Sequence, residues 1–408
     1  MFFFSRRSQT ATGKKEDGED FMTADRMTAE ELTKLVKRVF EPRPEDRALA
    51  VIVDLPDDVV PDTEEWRERR ALAAGWVKEL MSARSDHSLE ISLFLYPNVH
   101  SNNADLPASA WRWTDETVPD HIKDMTGLLE EFMEQVLSNH QLVIAPTQFS
   151  TTAPLKMMAP RLGFRGATMP GFSSEMVPAL RLDYTEINRR VWLLKDLLDD
   201  CVSADFHFVV DESTDHRLHL DLRHRKAHAS GGLLLEPGTA GNLPSGEAYI
   251  VPYEGEFEGD PTASRGQMPV QLGEEVVIFE IEDNRANRIS SSGPESEAEA
   301  ARLAAEPARG NLAELGLGVL ADFGIEPIGV VLLDEKLGLH LAFGRSEHFG
   351  GQVGPEDFSR PEAVMHQDHV YLPALQPRVS AARVVLEREG GTRLDLIRNG
   401  DYAIDFGE

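Results

Sequence analysis

The stretch Ala48-Leu-Ala-Val-Ile-Val-Asp54 is a short continuous apolar run of the kind that forms a buried strand. The elements downstream of it decide the fold class. From Asp62 to Met81 the residues Trp66, Ala73, Trp76, Val77 and Leu80 fall on one side of a helix. Leu89-Glu-Ile-Ser-Leu-Phe-Leu-Tyr96 reads as a second strand, Asp120 to Leu137 as a second helix, and Leu142-Val-Ile-Ala145 as a third strand. Strand and helix in alternation argue for βα units around a mostly parallel sheet. Upstream, Thr28-Ala-Glu-Glu31 is a capping-box pattern leading into Leu32, Leu35, Val36 and Val39 at helical spacing. Downstream, Pro154 to Pro178 holds Pro, Met and Gly in quantity and reads as an irregular crossing region. Asp183 then caps a helix with Ile187, Val191, Leu194 and Leu198 on one face, which closes this half of the chain.

After about Val202 the pattern changes. Phe206-His-Phe-Val-Val210 and Arg217-Leu-His-Leu-Asp-Leu222 look like strands joined across Glu212-Ser-Thr-Asp215. Further strands are expected at Glu275–Ile281, Ile328–Leu333 and Val379–Leu386, with Gly390-Gly391 turning the chain back into Arg393-Leu-Asp-Leu-Ile397 as a hairpin. A single helix is expected at about Pro294 to Ala305, its proline placed where a first turn tolerates it. The expected organisation is a flexible tail over residues 1–25, an α/β N-terminal domain over 26–202, and a β-rich α+β metal-binding domain over 203–408.

Length and composition fit two domains. A chain of 408 residues exceeds one ordinary core, and 41% hydrophobic residues suffice for two. The formal net charge of −29 makes a surface that repels phosphate backbones and anionic lipid, so neither nucleic acid nor membrane is expected as a partner. Met1-Phe-Phe-Phe4 followed by Arg6-Arg7 lacks the order and length of a secretion signal, and no apolar run approaches membrane-spanning length. A cytoplasmic protein is the expectation. The single cysteine, Cys201, excludes an internal disulfide and a thiolate cluster and reads as a filler residue at a helix end.

The chemistry is concentrated in Asn242-Leu-Pro-Ser-Gly-Glu247, Gly310-Asn-Leu-Ala-Glu314-Leu-Gly-Leu-Gly318, Glu335-Lys-Leu-Gly-Leu-His340-Leu-Ala-Phe-Gly344 and His366-Gln-Asp368. Glu247, Glu314, Glu335, His340, His366 and Asp368 are six potential ligands. Carboxylate with imidazole is the ligand set of zinc, cobalt, manganese or iron(II). Each lies in a Gly-marked or strand-like context. His366 and Asp368, two apart, share one face of a strand. Two divalent ions would neutralise the four carboxylates, which is the arithmetic of a two-metal hydrolase. Bland readings fit the other clusters better. His216, His219, His224 and His228 sit on a strand whose faces would split them. Trp111-Arg-Trp113 reads as packing, and Gly231-Gly232 and Gly350-Gly351 as turns.

Over about Ser230 to Leu372 these motifs, in their order and spacing, resemble the thermophilic-type metallo-aminopeptidases, the aminopeptidase T family. The resemblance implies two divalent ions (Zn, Co, Mn or Mg) held by the six ligands, with Glu247 placed to bridge them and Glu314 to handle protons. It also implies cleavage of an N-terminal residue from a peptide or small amide, a homodimer, and an α/β first domain screening a β-rich metal domain. One position departs from the family. Its tyrosine, seven residues after the His340 equivalent, is Glu347 here, and a carboxylate offers no neutral hydroxyl to a developing oxyanion. His348 is the alternative proton donor or substrate contact. A rival is a ring-cleaving dioxygenase of dihydroxypyridine type, a group similar to the same family, with one iron(II) on His340, His366 and Asp368. A third reading is a non-catalytic peptide-binding relative.

Overall fold

The computed structural model describes residues 26–407 apart from residue 116. The tail expected over 1–25 lies outside the described residues. The chain is a mixed α/β structure with three sheets. The first has seven strands in the order Thr239–Asn242, Arg165–Thr168, Leu142–Ala145, Ala48–Leu55, Glu90–Pro97, Ser109–Trp113 and Glu131–Phe132. The first five of these run parallel and the last two join antiparallel. Ala48–Leu55 lies at the centre, buried along its whole length. That is why its sequence is apolar without alternation: both faces are covered. The helix Ala29–Phe40 carries the expected capping box, with the Thr28 hydroxyl accepting from the Glu31 N–H and the Glu31 carboxylate accepting from the Thr28 N–H. The helices Glu64–Ser82 and Tyr184–Asp199 also lie where periodicity placed them.

Three expectations fail for identifiable reasons. The segment Asp120 to Leu137 is not one helix. It is a 3-10 turn at Ile122–Met125, the edge strand Glu131–Phe132 and the helix Met133–Asn139, interrupted by Gly127 at φ 85°. Pro154 to Pro178 is not irregular. It contains the helix Thr152–Leu162 and the interior strand Arg165–Thr168. Pro154 stands in the first helical turn, where a missing N–H costs nothing. The strand hides its signature because it carries Arg165, whose buried guanidinium pairs with Asp46. Ile328 to Leu333 is not a strand. The Asp334 carboxylate accepts from the N–H groups of Ile328 and Gly329, both at 2.9 Å, and folds the segment into a loop before the helical turn Val331–Asp334.

The second sheet has five antiparallel strands in the order His366–Val370, Leu339–Gly344, Leu312–Gly318, Glu247–Ile250 and His228–Ser230. The third has eight antiparallel strands, running from Arg285–Ile289 at one edge to Asp401–Tyr402 at the other. Its hairpin turns at Gly390 and Gly391, both at positive φ as expected. Cys201, free and buried, opens the strand Cys201–Val210. The helix Pro294–Ala305 begins at its proline, as read from the sequence.

The two antiparallel sheets meet through their apolar faces. Leu315, Leu317, Leu339, Leu341 and Phe343 of the five-stranded sheet belong to the same buried cluster as Phe206, Phe208, Leu218, Met268 and Val277 of the eight-stranded one. The rings of Phe208 and Tyr371, 4.9 Å apart, and of Phe279 and Phe343, 5.0 Å apart, interlock there. Side chains alternate across a strand. The opposite face of the five-stranded sheet is therefore free for chemistry.

Candidate metal centre

That other face holds the site, and the sheet register explains how. Glu314 pairs with Ala342, and Ala342 with Asp368, so two carboxylates flank a methyl group on one rung. His340 pairs with Gly316, and Gly316 with Tyr249. Glu247 pairs with Gly318, and His366 with Gly344. Small residues alternate with ligating ones from strand to strand, which leaves a basin filled by the long polar side chains. At Gly316 a Cβ would sit 1.9 Å from His340 Nε2, so only glycine leaves the imidazole its place. At Gly318 a Cβ would lie 2.2 Å from the Lys336 backbone. Gly316 is thus space for a ligand, and Gly318 is space for the backbone that carries Lys336.

Among the described residues two groups have ligand atoms all within 4.8 Å of one another: Glu247, Glu314 and His340, and Glu314, His366 and Asp368. Glu314 belongs to both. Its Oε1 is 3.3 Å from His340 Nε2 and its Oε2 is 3.1 Å from His366 Nε2. His340 Nε2 is also 3.5 Å from Glu247 Oε2, and His366 Nε2 is 3.5 Å from Asp368 Oδ1. Each imidazole is fixed from behind. His340 Nδ1 lies 3.1 Å from the Gly338 carbonyl and His366 Nδ1 2.9 Å from the Arg345 carbonyl. A carbonyl only accepts, so both Nδ1 atoms carry hydrogen and both Nε2 atoms point at carboxylate oxygens. Second-partner bonding of this kind orients histidine as a metal ligand. A bare Nε2 facing a carboxylate would be two acceptors in contact. A proton or a metal ion has to lie between them.

The metal-free electrostatics reflect that geometry. Burial alone would raise the Glu314 carboxyl, but the two imidazoles on its oxygens hold it well below the usual range. Burial disfavours a charged His340, yet Glu314 and Glu247 outweigh it and bring the imidazole up to about 9. His366 is likewise raised, against burial, by Asp368 and Glu314. Glu335 is pushed up to about 8 by burial, with Lys336 opposing and Glu247 and Asp368 reinforcing. Glu247 Oε2 is buried with no hydrogen-bond partner. A buried carboxylate oxygen left bare, beside an Nε2 held toward it, fits a divalent cation.

Glu335 stands in the 3-10 turn Glu335–Leu337 at the edge of the basin, outside both groups. It is tied in by Lys336, which sequence reasoning passed over. The Lys336 ammonium is buried and contacts both Glu247 and Glu335. Burial disfavours its charge, but the two carboxylates hold it protonated. The available signal was its place inside the motif, between two ligands. Glu347 is bound back to Arg345, at 2.7 Å from Nε. His348 lies with its ring 5.7 Å from that of His366 and is lowered to about 4, chiefly by burial and then by the charge of His366. Tyr249, also passed over, shares the ligand face. Its ring stacks on His228 at 5.2 Å and tilts against Phe349 at 4.7 Å, and Phe349 meets His366 at 5.4 Å. These rings wall one side of the basin.

The other histidines have separate tasks. His216 bonds Gln267, His219 bonds Asp205, His224 bonds Asp260, and His228 bonds the Phe349 carbonyl, all at 2.7–3.0 Å. Trp111 and Trp113 lie in the strand Ser109–Trp113, and Trp113 donates to the Thr117 carbonyl.

Neither a known protein family nor a curated protein matches the sequence. Solved structures do match the fold. A 2,5-dihydroxypyridine dioxygenase from Pseudomonas putida aligns with a TM-score of 0.59 and 15% identity, covering 93% of this chain and 99% of that one. AmpT, an aminopeptidase T from Thermus thermophilus, aligns with a TM-score of 0.52 and 15% identity, covering 92% of this chain and 99% of that one. Both are enzymes, and the likeness is one of fold. No helix among the described residues is long and apolar enough to cross a membrane.

Proposed function

We propose that the chain is a dinuclear metallo-aminopeptidase-like hydrolase that removes an N-terminal residue from a peptide or related small amide. The observation that carries this reading is Glu314, one carboxylate standing between two three-residue groups of potential ligands. Glu247 with His340 on one side, and His366 with Asp368 on the other, would each hold a divalent ion (zinc, cobalt, manganese or magnesium). Glu314, whose two oxygens face the two imidazoles, would belong to both ligand sets, the place that the family resemblance gives to Glu247, and Glu335 would complete the set beside Glu247. When bound, two such ions supply Lewis acidity to an amide carbonyl and lower the pKa of water towards roughly 7.

The chain's own groups do the rest. The Gly338 and Arg345 carbonyls orient the imidazoles, and Lys336 balances part of the carboxylate charge. His348, neutral at pH 7, stands at the rim as a contact for the substrate. Glu347, ionised and paired with Arg345, does not take the part of a phenol. A cytoplasmic homodimer that binds neither nucleic acid nor membrane belongs to the same proposal, in keeping with the charge of −29.

The second reading is a mononuclear iron(II) ring-cleaving dioxygenase, supported by the fold shared with such an enzyme. It needs His340, His366 and Asp368 on one ion, whereas Glu314 lies between the two imidazoles. The deciding experiment is elemental analysis of the purified protein and of Glu335→Ala, with a peptide-amide screen. About two zinc, cobalt or manganese ions per chain, fewer in the variant, supports the hydrolase. One iron per chain, indifferent to Glu335, sinks it. No held metal in either protein returns the chain to a non-catalytic peptide-binding role.

A further inference from the structure

We propose that the outer face of the eight-stranded sheet carries a second binding site, for a small molecule bearing two oxyanion groups, gripped by Arg217 and Arg265. The proposal stands independently of the hydrolase reading. The five-stranded sheet and the core between the two sheets separate this face from the metal ligands, so a molecule held here takes no part in chemistry at that centre.

Strand alternation and register build the site. Along Thr214–Asp221, Leu218 and Leu220 are buried in the core, so Arg217 and His219 face outwards. Along Cys201–Val210, Phe206 and Phe208 are buried there, so Asp205 and His207 face outwards. Arg217 pairs with His207, His207 with Arg383 of the strand Val379–Arg388, and Arg383 with Arg398 of the strand Arg393–Arg398. Four basic side chains thus stand opposite one another across four strands. Two residues along, Arg265 of the strand Arg265–Leu272 pairs with His219, and His219 with Asp205. Like charges directly opposite one another weaken a sheet. On a chain with 70 Asp and Glu against 41 Lys and Arg, such a row is the exception, and a bound anion would relieve it.

The carboxylates nearby are already shared. Asp215 lies 2.6 Å from His207. Asp395 lies 2.6 Å from Arg383 and also contacts Arg398. Asp205 lies 2.7 Å from His219 and also contacts Arg393. Arg217 and Arg265, both exposed, form no ion pair among the described residues, and Glu282, the cross-strand partner of Arg265, is no exception. Each keeps its fork of donors for a ligand. Both arginines line a cavity of about 560 Å³, within the roughly 300–1,000 Å³ usual for small-molecule sites. The backbone beside it is held at a single crossing: Arg265–Leu272 pairs with Thr214–Asp221 only at Arg265 and Gly266. Gly266 has φ 131°, and a Cβ there would lie 2.2 Å from the Arg217 carbonyl oxygen, so only glycine lets the strands close. A guanidinium fork suits phosphate and carboxylate alike. The two rows lie about 7 Å apart along the strands, so a ligand with two such groups meets both rows and a single oxyanion meets one.

The test is calorimetry on the full chain at low salt with three probes: fructose 1,6-bisphosphate, fructose 6-phosphate and glutarate. The wild type is expected to bind one of the two doubly anionic probes at least tenfold more tightly than fructose 6-phosphate. The bisphosphate winning identifies a phosphate ester as the ligand, and glutarate winning a dicarboxylate. Arg217→Gln and Arg265→Gln are each expected to weaken that binding about tenfold, as for one charged hydrogen bond, and the double variant about a hundredfold. Metal content and melting temperature should stay unchanged, since both side chains are exposed. Arg47→Gln, which removes an exposed charge beside the parallel sheet, should bind as the wild type does. Failure of the wild type to bind either doubly anionic probe overturns the site. So does an affinity unmoved in the double variant, or an equal loss in Arg47→Gln. Sedimentation of the same proteins covers the remaining occupant. An oligomer that falls apart in the double variant, with neither probe bound by the wild type, makes this face a contact between copies and overturns the small-molecule site.

Discussion

Replacing Lys336 by methionine isolates the electrostatics of the centre. The ammonium is buried and contacts Glu247 and Glu335, both themselves largely buried. Without it and without metal, the Glu247 carboxylate is left in a poorly hydrated basin with no lysine beside it, while Glu335, pushed up to about 8, is the neutral acid at pH 7. Breaking a buried pair by deleting one partner costs about 3–5 kcal/mol. For a chain of this size that corresponds to a melting temperature lower by about 4–6 °C. Methionine keeps most of the apolar volume, so packing contributes little to the loss. Divalent ions would restore positive charge beside the same carboxylates. The deficit should therefore be large in EDTA and shrink in excess zinc, read by thermal melts of wild type and Lys336→Met under both conditions. Equal melting of the two proteins in EDTA, or a deficit indifferent to zinc, would refute the reasoning.

Glu335→Ala should lower the zinc content from about two ions per chain towards about one, measured by elemental analysis after gel filtration. Gly316→Ala puts a methyl where His340 Nε2 now lies, at 1.9 Å, so it should turn the ring away and weaken metal binding by tenfold or more, read by competition with a chromophoric chelator. The metal-free protein should lose stability as pH rises. His340, raised to about 9 in the fold from an unfolded value near 6.5, contributes fully below about pH 6.5 and loses that contribution towards pH 9. Glu335, raised to about 8, acts in the same direction, because ionising it in the fold is unfavourable. Metal affinity should move oppositely, since an ion on His340 displaces its proton. Melts at pH 6.5 and 9, with and without zinc, would show opposed slopes. Parallel slopes would contradict the assignment.

Periodicity served where one period governed a whole element. The capping box at Thr28, the run Ala48–Leu55 and the helix opened by Pro294 are local statements, and the chain folds them as written. It failed where a distant partner paid for an unlikely residue. Arg165 occupies an interior strand because Asp46 neutralises it, and Asp46 lies far away in the chain. Ile328 to Leu333 has strand composition, but one carboxylate six residues on gathers its N–H groups into a loop. The six ligand candidates could be named from residue type and spacing. Their grouping could not, because it depends on the strand pairing that places Gly316 under His340 and Ala342 between Glu314 and Asp368. Lys336 was hidden for another reason: a lysine inside a motif reads as solvated until the structure shows what it touches.

The strand Thr239–Asn242 belongs to the parallel sheet, and Glu247 opens a strand of the five-stranded sheet only five residues later. So short a tether allows little slack: Glu247 cannot be drawn towards an ion without pulling on the edge of the other sheet. Loading the centre should therefore be felt remotely, as slower amide hydrogen exchange at Arg165–Thr168, which contains no ligand at all. In that sense the parallel sheet is a gauge of occupancy, and the two halves of the chain should melt together when the centre is filled.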